Sequence, residues 1–144
     1  MSNARPLSRL GNGPIFSAYQ SSAQSLTSTA AKINFQTEDY DPANAYDTST
    51  SRFNPQVPGY YKIDGVVSVS SSACQVIVHC YKNGSLWKTG FNTQTNAGAG
   101  NVSTTVYLNG STDYVEIYAA FSTTQNTNAT TGYTWFQGSL IKGA

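Results

Sequence analysis

Apolar and polar residues alternate with a period of two in this chain, and Asn-Gly pairs interrupt the alternation, which restricts it to β-structure. From Cys74 to Tyr81 the residues Val76, Val78 and Cys80 fall on one face of an extended run. Asn83-Gly84 follows at once. Both central positions of a tight hairpin turn need positive φ, which Asn and Gly tolerate, so Leu86 to Phe91 reads as the return strand. Val102 to Leu108, then Asn109-Gly110, then Asp113 to Phe121 repeat the pattern, with Val115, Ile117 and Ala119 on one side. The second Asn-Gly pair predicts a second hairpin. No segment carries a convincing helical period.

Further short strands are expected at Ile15 to Tyr19, Lys32 to Thr37, Tyr60 to Ser70 and Tyr133 to Ile141. Glu38 to Asn44 reads as a polar loop, Tyr46 to Phe53 as a polar segment, and Pro55 to Gly59 as a turn. Thr93 to Gly100 and Ser122 to Gly132 read as long polar loops. With about ten strands and regular turn spacing, the expected fold is all-β, a two-sheet antiparallel sandwich of jelly-roll type. The length of 144 residues suits one domain. Residues 1–13 lack a period and read as an N-terminal arm, leaving 14–144 as the body.

Charged residues are 10% of the chain, against roughly 25% in an average globular protein. Aromatics are 12%, ten of them Tyr, and the net charge is +1. No field draws in nucleic acid or an anionic membrane, and no stretch approaches the length of a spanning helix, so neither nucleic acid nor membrane insertion is expected. Met1 to Gly13 lacks the apolar run of a secretory signal. Virion proteins, adhesins and carbohydrate-facing surfaces share such a composition. Cys74 and Cys80 lie six residues apart in an extended run, roughly 20 Å at about 3.3 Å per residue, beyond disulfide reach. Both are expected to stay reduced, which fits assembly in a cytosol.

A set of short motifs then appears in order. Phe53, Val57-Pro58-Gly59 and Tyr61 form an aromatic, a turn and a tyrosine. Pro14-Ile15-Phe16-Ser17-Ala18-Tyr19 precedes them; Lys82-Asn83-Gly84, Leu108 to Val115 and Phe136-Gln137-Gly138-Ser139-Leu140-Ile141 follow. Together they resemble the globular head of complement component 1q, part of the tumour necrosis factor-like jelly rolls, over roughly residues 14–142. Asp113 stands three places after Gly110 where the family has it directly after the glycine. No collagen-like stalk precedes the domain, and in this the chain resembles the compact versions found on bacteriophage virions. Gly138 inside a strand predicts close approach of a neighbouring backbone or ring.

Bulky groups on both faces of several strands ask for a second cover, unless the tyrosines simply coat the surface with wet hydroxyls. The resemblance implies a compact homotrimer, with Tyr60, Tyr114, Tyr118 and Trp135 as expected interface residues. The functional expectation is a non-enzymatic virion structural protein, a capsid decoration, head fibre or tail-fibre tip, that attaches to the particle and binds the host surface or a glycan. The alternative is a secreted bacterial lectin-like adhesion module. Arg5, Leu7, Arg9 and Leu10 would dock to other virion proteins. Phe91, Asn92, Asn96, Phe121, Gln125, Asn126, Asn128 and Tyr133 would face a ligand, unless those loops are merely solvated.

No nucleophile-elbow, phosphate-loop, dinucleotide or metalloprotease pattern is present. His79 is the only histidine. It points to the opposite face from its neighbour Cys80, so the two form no nucleophile–base pair. Four Asn-x-Ser/Thr triplets begin at Asn83, Asn101, Asn109 and Asn128; in so Asn- and Ser-rich a chain they read as chance. No cofactor is expected. Asp39, Asp41 and Asp47, with Glu38 nearby, are the only group that resembles a calcium loop, and their spacing departs from that of an EF-hand.

Overall fold

The computed structural model describes residues 13–91 and 94–144. Thirteen strands occur among them: β1 (Ile15–Tyr19), β2 (Ser25–Leu26), β3 (Ala31–Lys32), β4 (Thr37–Tyr40), β5 (Tyr46–Asp47), β6 (Arg52–Phe53), β7 (Gly59–Ser68), β8 (Val76–Lys82), β9 (Ser85–Gly90), β10 (Ala99–Leu108), β11 (Val115–Phe121), β12 (Gln125–Asn126) and β13 (Trp135–Gly143). Five are two-residue pieces, which is why about ten were expected. One sheet has the order β10-β7-β13-β1-β4 and the other β5-β6-β11-β8-β9, with β3 on β11; β2 and β12 make a small ribbon. Every pairing is antiparallel. The architecture is a jelly-roll sandwich.

Period-two alternation fills the space between the sheets. Phe16, Ala18, Tyr61, Ile63, Val102, Val106 and Phe136 meet Val76, Val78, Cys80, Val115, Ile117 and Phe121, all buried. Phe16 sits at the centre, stacked on Tyr46 (ring centroids 4.8 Å) and Phe53 (4.4 Å) and edge-on to Phe136 (4.8 Å). Such aromatic contacts contribute about 0.5–1.5 kcal/mol each beyond area burial. Gly138 makes room for this cluster: a Cβ there would lie 2.8 Å from Phe16 Cε1 and 3.0 Å from Ile63 Cδ1.

The first Asn-Gly pair behaves as expected. Asn83 (φ 52°) and Gly84 (φ 77°) join β8 to β9. The second does not make a hairpin, because β10 pairs with β7 and β11 pairs with β8. Here the chain crosses from one sheet to the other. Asn109 Oδ1 accepts the N–H groups of Ser111, Thr112 and Asp113, each at 3.0 Å, and Gly110 takes φ 74° against Pro58. The side chain supplies the turn that a backbone ladder would have supplied.

The expected strand from Lys32 to Thr37 is also a crossing. Ile33 and Phe35 are buried and Asn34 and Gln36 exposed, so the alternation is real. Ile33 N–H donates to the Ile117 carbonyl, whereas Phe35 N–H donates to Ser51 Oγ (3.0 Å), a side-chain acceptor. The ladder lapses there, and β4 opens at Thr37, the last residue of the expected strand, and runs on to Tyr40 through the start of the expected polar loop.

The two ends of the sandwich are distinct. Leu140 N–H donates to the Pro14 carbonyl and Ala144 N–H to the Pro58 carbonyl, which puts the start and finish of the body at one end. At the other end, Val69 bonds Gly98, Cys74 bonds Ala97, Ser70 bonds Asn126 and Asn128 bonds Ser68. The long polar loops therefore meet at one apex. The ten residues of β7 separate it from the base by roughly 30 Å.

Candidate functional site

Three surfaces carry chemistry. The first is the outer face of the five-stranded sheet. Tyr60 (47% exposed) and Tyr107 stand opposite each other on β7 and β10, with rings 5.4 Å apart. Trp135 lies beside Tyr19 and Val66 in register, and Ile15, Tyr40 and Ile141 are exposed on or beside the same face. A polar row crosses it, where Lys62 Nζ pairs with Asp64 (2.7 Å) and donates to Ser103 Oγ. Burial pushes the Asp64 carboxyl up, but bonds from Lys62, Ser103 and Gln137 outweigh it and hold the group below the usual carboxylate range.

Tyr114 and Tyr118 are elsewhere. They belong to the outer face of the other sheet, so they do not share a surface with Tyr60 and Trp135. Tyr118 stacks on Tyr81 (3.9 Å, 11° between planes), and the Arg52 guanidinium lies 4.1 Å above the Tyr114 ring. Neighbours in the same chain cover these two rings in part. Between them is Glu116, whose side chain is 2% exposed and accepts from Arg52 Nε at 2.9 Å, with Lys32 Nζ at 3.6 Å.

The second surface is the apex. Phe91 is 86% exposed; Asn96, Asn126 and Tyr133 are exposed, and Gln125 and Asn128 half-buried. Phe121 is a correction: it is fully buried and can meet no ligand. As the last residue of β11 it continues the inward series of Val115, Ile117 and Ala119 through one more period. Asn92 lies outside the described residues, as do Arg5, Leu7, Arg9 and Leu10. Gly13 packs on Leu140 at the base.

The acidic residues do not converge. Asp39 accepts from Ser17 Oγ (2.9 Å), Asp41 from Tyr46 N–H (2.8 Å), and Asp47 from Ser49 and Thr50. The Ser49 and Thr50 bonds keep the Asp47 carboxyl below its usual range. Among the described residues, no three His, Cys, Asp or Glu side chains come close enough to hold a metal ion. Asp41 and Asp47 each serve their own turn, and Asp39 ties β4 to β1.

His79 Nδ1 lies 3.0 Å from Thr89 Oγ1 on β9, and burial lowers its pKa. Cys80 faces the core, where burial pushes its thiol up to about 12, so it is a poor nucleophile. Both cysteines are free and buried.

The third surface was not anticipated from the sequence. Where β4, the last strand of one sheet, faces β5, the last strand of the other, the flank of the sandwich opens into a cleft of about 780 Å³. Amides and hydroxyls dominate its walls, which include Asn44, Thr48, Asn54, Gln56 and Thr112, together with Glu38, Asp47, Arg52 and Tyr114. The only signal in the sequence was the polar segment after Tyr46, a pattern it shares with any solvated turn.

Comparison with known proteins agrees on the fold. The chain is similar to the globular domain of zebrafish complement 1qA, with a TM-score of 0.70 at 14% identity over 92% of this chain and 100% of that one. It is similar to murine APRIL, with a TM-score of 0.69 at 6% identity over 90% and 100%. It is also similar to the Eiger TNF of S. frugiperda, with a TM-score of 0.67 at 8% identity over 92% and 93%. No curated protein matches it by sequence. The C1q domain family matches residues 15–141, nearly the whole body, and the chain belongs to that family.

Proposed function

We propose that this C1q domain is a non-enzymatic, homotrimeric structural and binding protein of a bacteriophage virion, attached at its base and presenting its apex. The outer face of the five-stranded sheet carries the proposal. Ile15, Tyr60, Tyr107 and Ile141 are exposed on or beside one sheet face, with Trp135 among them, and aromatic groups of this kind favour interface cores. A second and third copy are the occupants that would cover it. Tyr60 and Trp135 remain in the proposed interface; Tyr114 and Tyr118, on the opposite sheet, would lie away from it.

The polarity of the sandwich supports the rest. The start of the body is at the base, so an arm of residues 1–13, with Arg5, Leu7, Arg9 and Leu10, would leave from the end remote from the polar apex loops. Three copies side by side would present three sets of loops, and multivalency strengthens weak contacts without any new bond. Two reduced, buried cysteines suit assembly in a host cytoplasm before exposure on the particle.

Light scattering on the purified chain tests assembly. The expected result is three times the 15.4 kDa chain mass, falling to one chain in Tyr60→Asp/Tyr107→Asp. A native monomer would overturn the reading. Gold-labelled antibody on purified particles tests the setting; the expected label is on the virion surface, and secreted chain with unlabelled particles would favour the bacterial adhesion module.

A further inference from the structure

We infer that the flank cleft, lined by the β5–β6 hairpin, the 111–114 crossing and Glu38 of β4, is a binding site for a short neutral oligosaccharide. Its volume of about 780 Å³ falls within the range of roughly 300–1,000 Å³ typical of ligand sites. Its lining is unlike theirs. Most such sites are apolar with a few polar groups, and here amides and hydroxyls prevail. A ligand covered in hydroxyls matches such a lining.

Two of these groups hold each other in place and still leave bonding capacity. Asn54 Nδ2 donates to the carbonyls of Ser111 (3.2 Å) and Asp113 (2.7 Å), and Asn54 Oδ1 accepts from Gln56 Nε2 (2.7 Å). The Gln56 amide is thereby oriented, and its carbonyl oxygen has no hydrogen-bond partner among the described residues. The side chains of Asn44 and Thr48 are exposed and make no hydrogen bond among the described residues, so they add capacity without being preset. Preset donors and acceptors replace the water around sugar hydroxyls with little reordering cost.

The apolar part is the half-buried Tyr114 ring; the Arg52 guanidinium covers one face, and what is left of the ring is the wall for a pyranose C–H face. Charge argues for a neutral ligand: Arg52 is already paired with Glu116, while Glu38 and Asp47 on the walls repel anionic sugars. One such cleft per chain would give a trimer three sites.

Saturation-transfer NMR and calorimetric titration of the full chain with cellotriose, maltotriose and triacetylchitotriose, and with sialyllactose as the anionic control, test this. At least one neutral trisaccharide is expected to bind at about millimolar Kd, once per chain. Thr48→Arg, at an exposed turn position, is expected to weaken binding at least about tenfold (about 1.4 kcal/mol), and Gln56→Ala to weaken it in the same direction. Leu86→Ala, on exposed β9 at the far edge of the sheet from β5, is expected to leave it unchanged. Circular dichroism checks that each variant folds. No binding by any neutral sugar at about 10 mM (a Kd weaker than about −3 kcal/mol), binding that survives both cleft variants, or equal binding of sialyllactose would each overturn the inference. Light scattering on the same samples keeps assembly separate, since a monomer that binds the sugar would sink only the trimer.

Discussion

Tyr61 donates its hydroxyl to the carbonyl of Val57 at 2.7 Å, so the first inward residues of β7 tie down the turn that launches the strand. The ring itself is fully buried, edge-on to Phe53 at 5.4 Å, and burial raises the phenol to about 12. One side chain therefore joins the core to the Val57-Pro58-Gly59 turn. Tyr61→Phe keeps the ring and loses the bond. A loss of about 1 kcal/mol in denaturant unfolding, with an unchanged m-value, is expected.

Gly138→Ala is expected to cost more. The added methyl meets Phe16 and Ile63 closer than van der Waals contact allows, and Phe16 is itself clamped between Tyr46, Phe53 and Phe136. Overpacking of this kind costs about 1–3 kcal/mol. Pairing it with Ile63→Val, which removes one of the opposing methyls, is expected to recover part of the loss in the same unfolding measurement.

Local alternation carried the long strands into view, and they proved real: β1 runs over the expected residues, β10 includes the expected Val102–Leu108, and β8 and β11 place the anticipated side chains inside. The crossings were illegible for a definite reason. Asn109-Gly110 carries the same local signal as Asn83-Gly84, and only the pairing of β10 with β7 decides that it changes sheets. Ile33 and Phe35 alternate like strand residues, but their partners come from β11 and from Ser51, far away in sequence. Aromatic faces were visible as an excess of rings; their division between two sheets was not, because that depends on which strands become neighbours. The flank cleft exists only once β4 and β5 end their sheets side by side.

His79 gives a pH prediction. Its imidazole sits against Thr89 and 6.2 Å from the Tyr81 ring, and Tyr118 is opposite it in register. Burial holds its pKa below the ordinary 6.5. The unfolded chain thus takes up a proton at higher pH than the folded one. Stability is full above about 6.5 and falls as acid carries the pH down through the folded value. His79→Gln is expected to flatten this part of the stability curve between about pH 7 and 5, leaving any loss at lower pH to carboxylates such as Asp47 and Asp113, whose pKa values are also depressed.

Arg52 and Glu116 offer a sharper test of what holds the outer sheet surface. Glu116 is buried on the face of β11 and depends on Arg52 Nε at 2.9 Å, with Lys32 at 3.6 Å as a weaker second cation. Arg52→Ala would strand most of that carboxylate's charge and bare the Tyr114 ring. Removing one partner of a buried pair costs about 3–5 kcal/mol, but Arg52 is itself 41% exposed and Lys32 remains, so about 2 kcal/mol is the expected loss. The double variant Arg52→Ala/Glu116→Ala is expected to lose less than the sum of the single changes, since no charge is then left buried without its partner. Strict additivity in urea unfolding would show instead that Lys32 and water already satisfy Glu116, and that Arg52 matters to this surface only through its stacking on Tyr114.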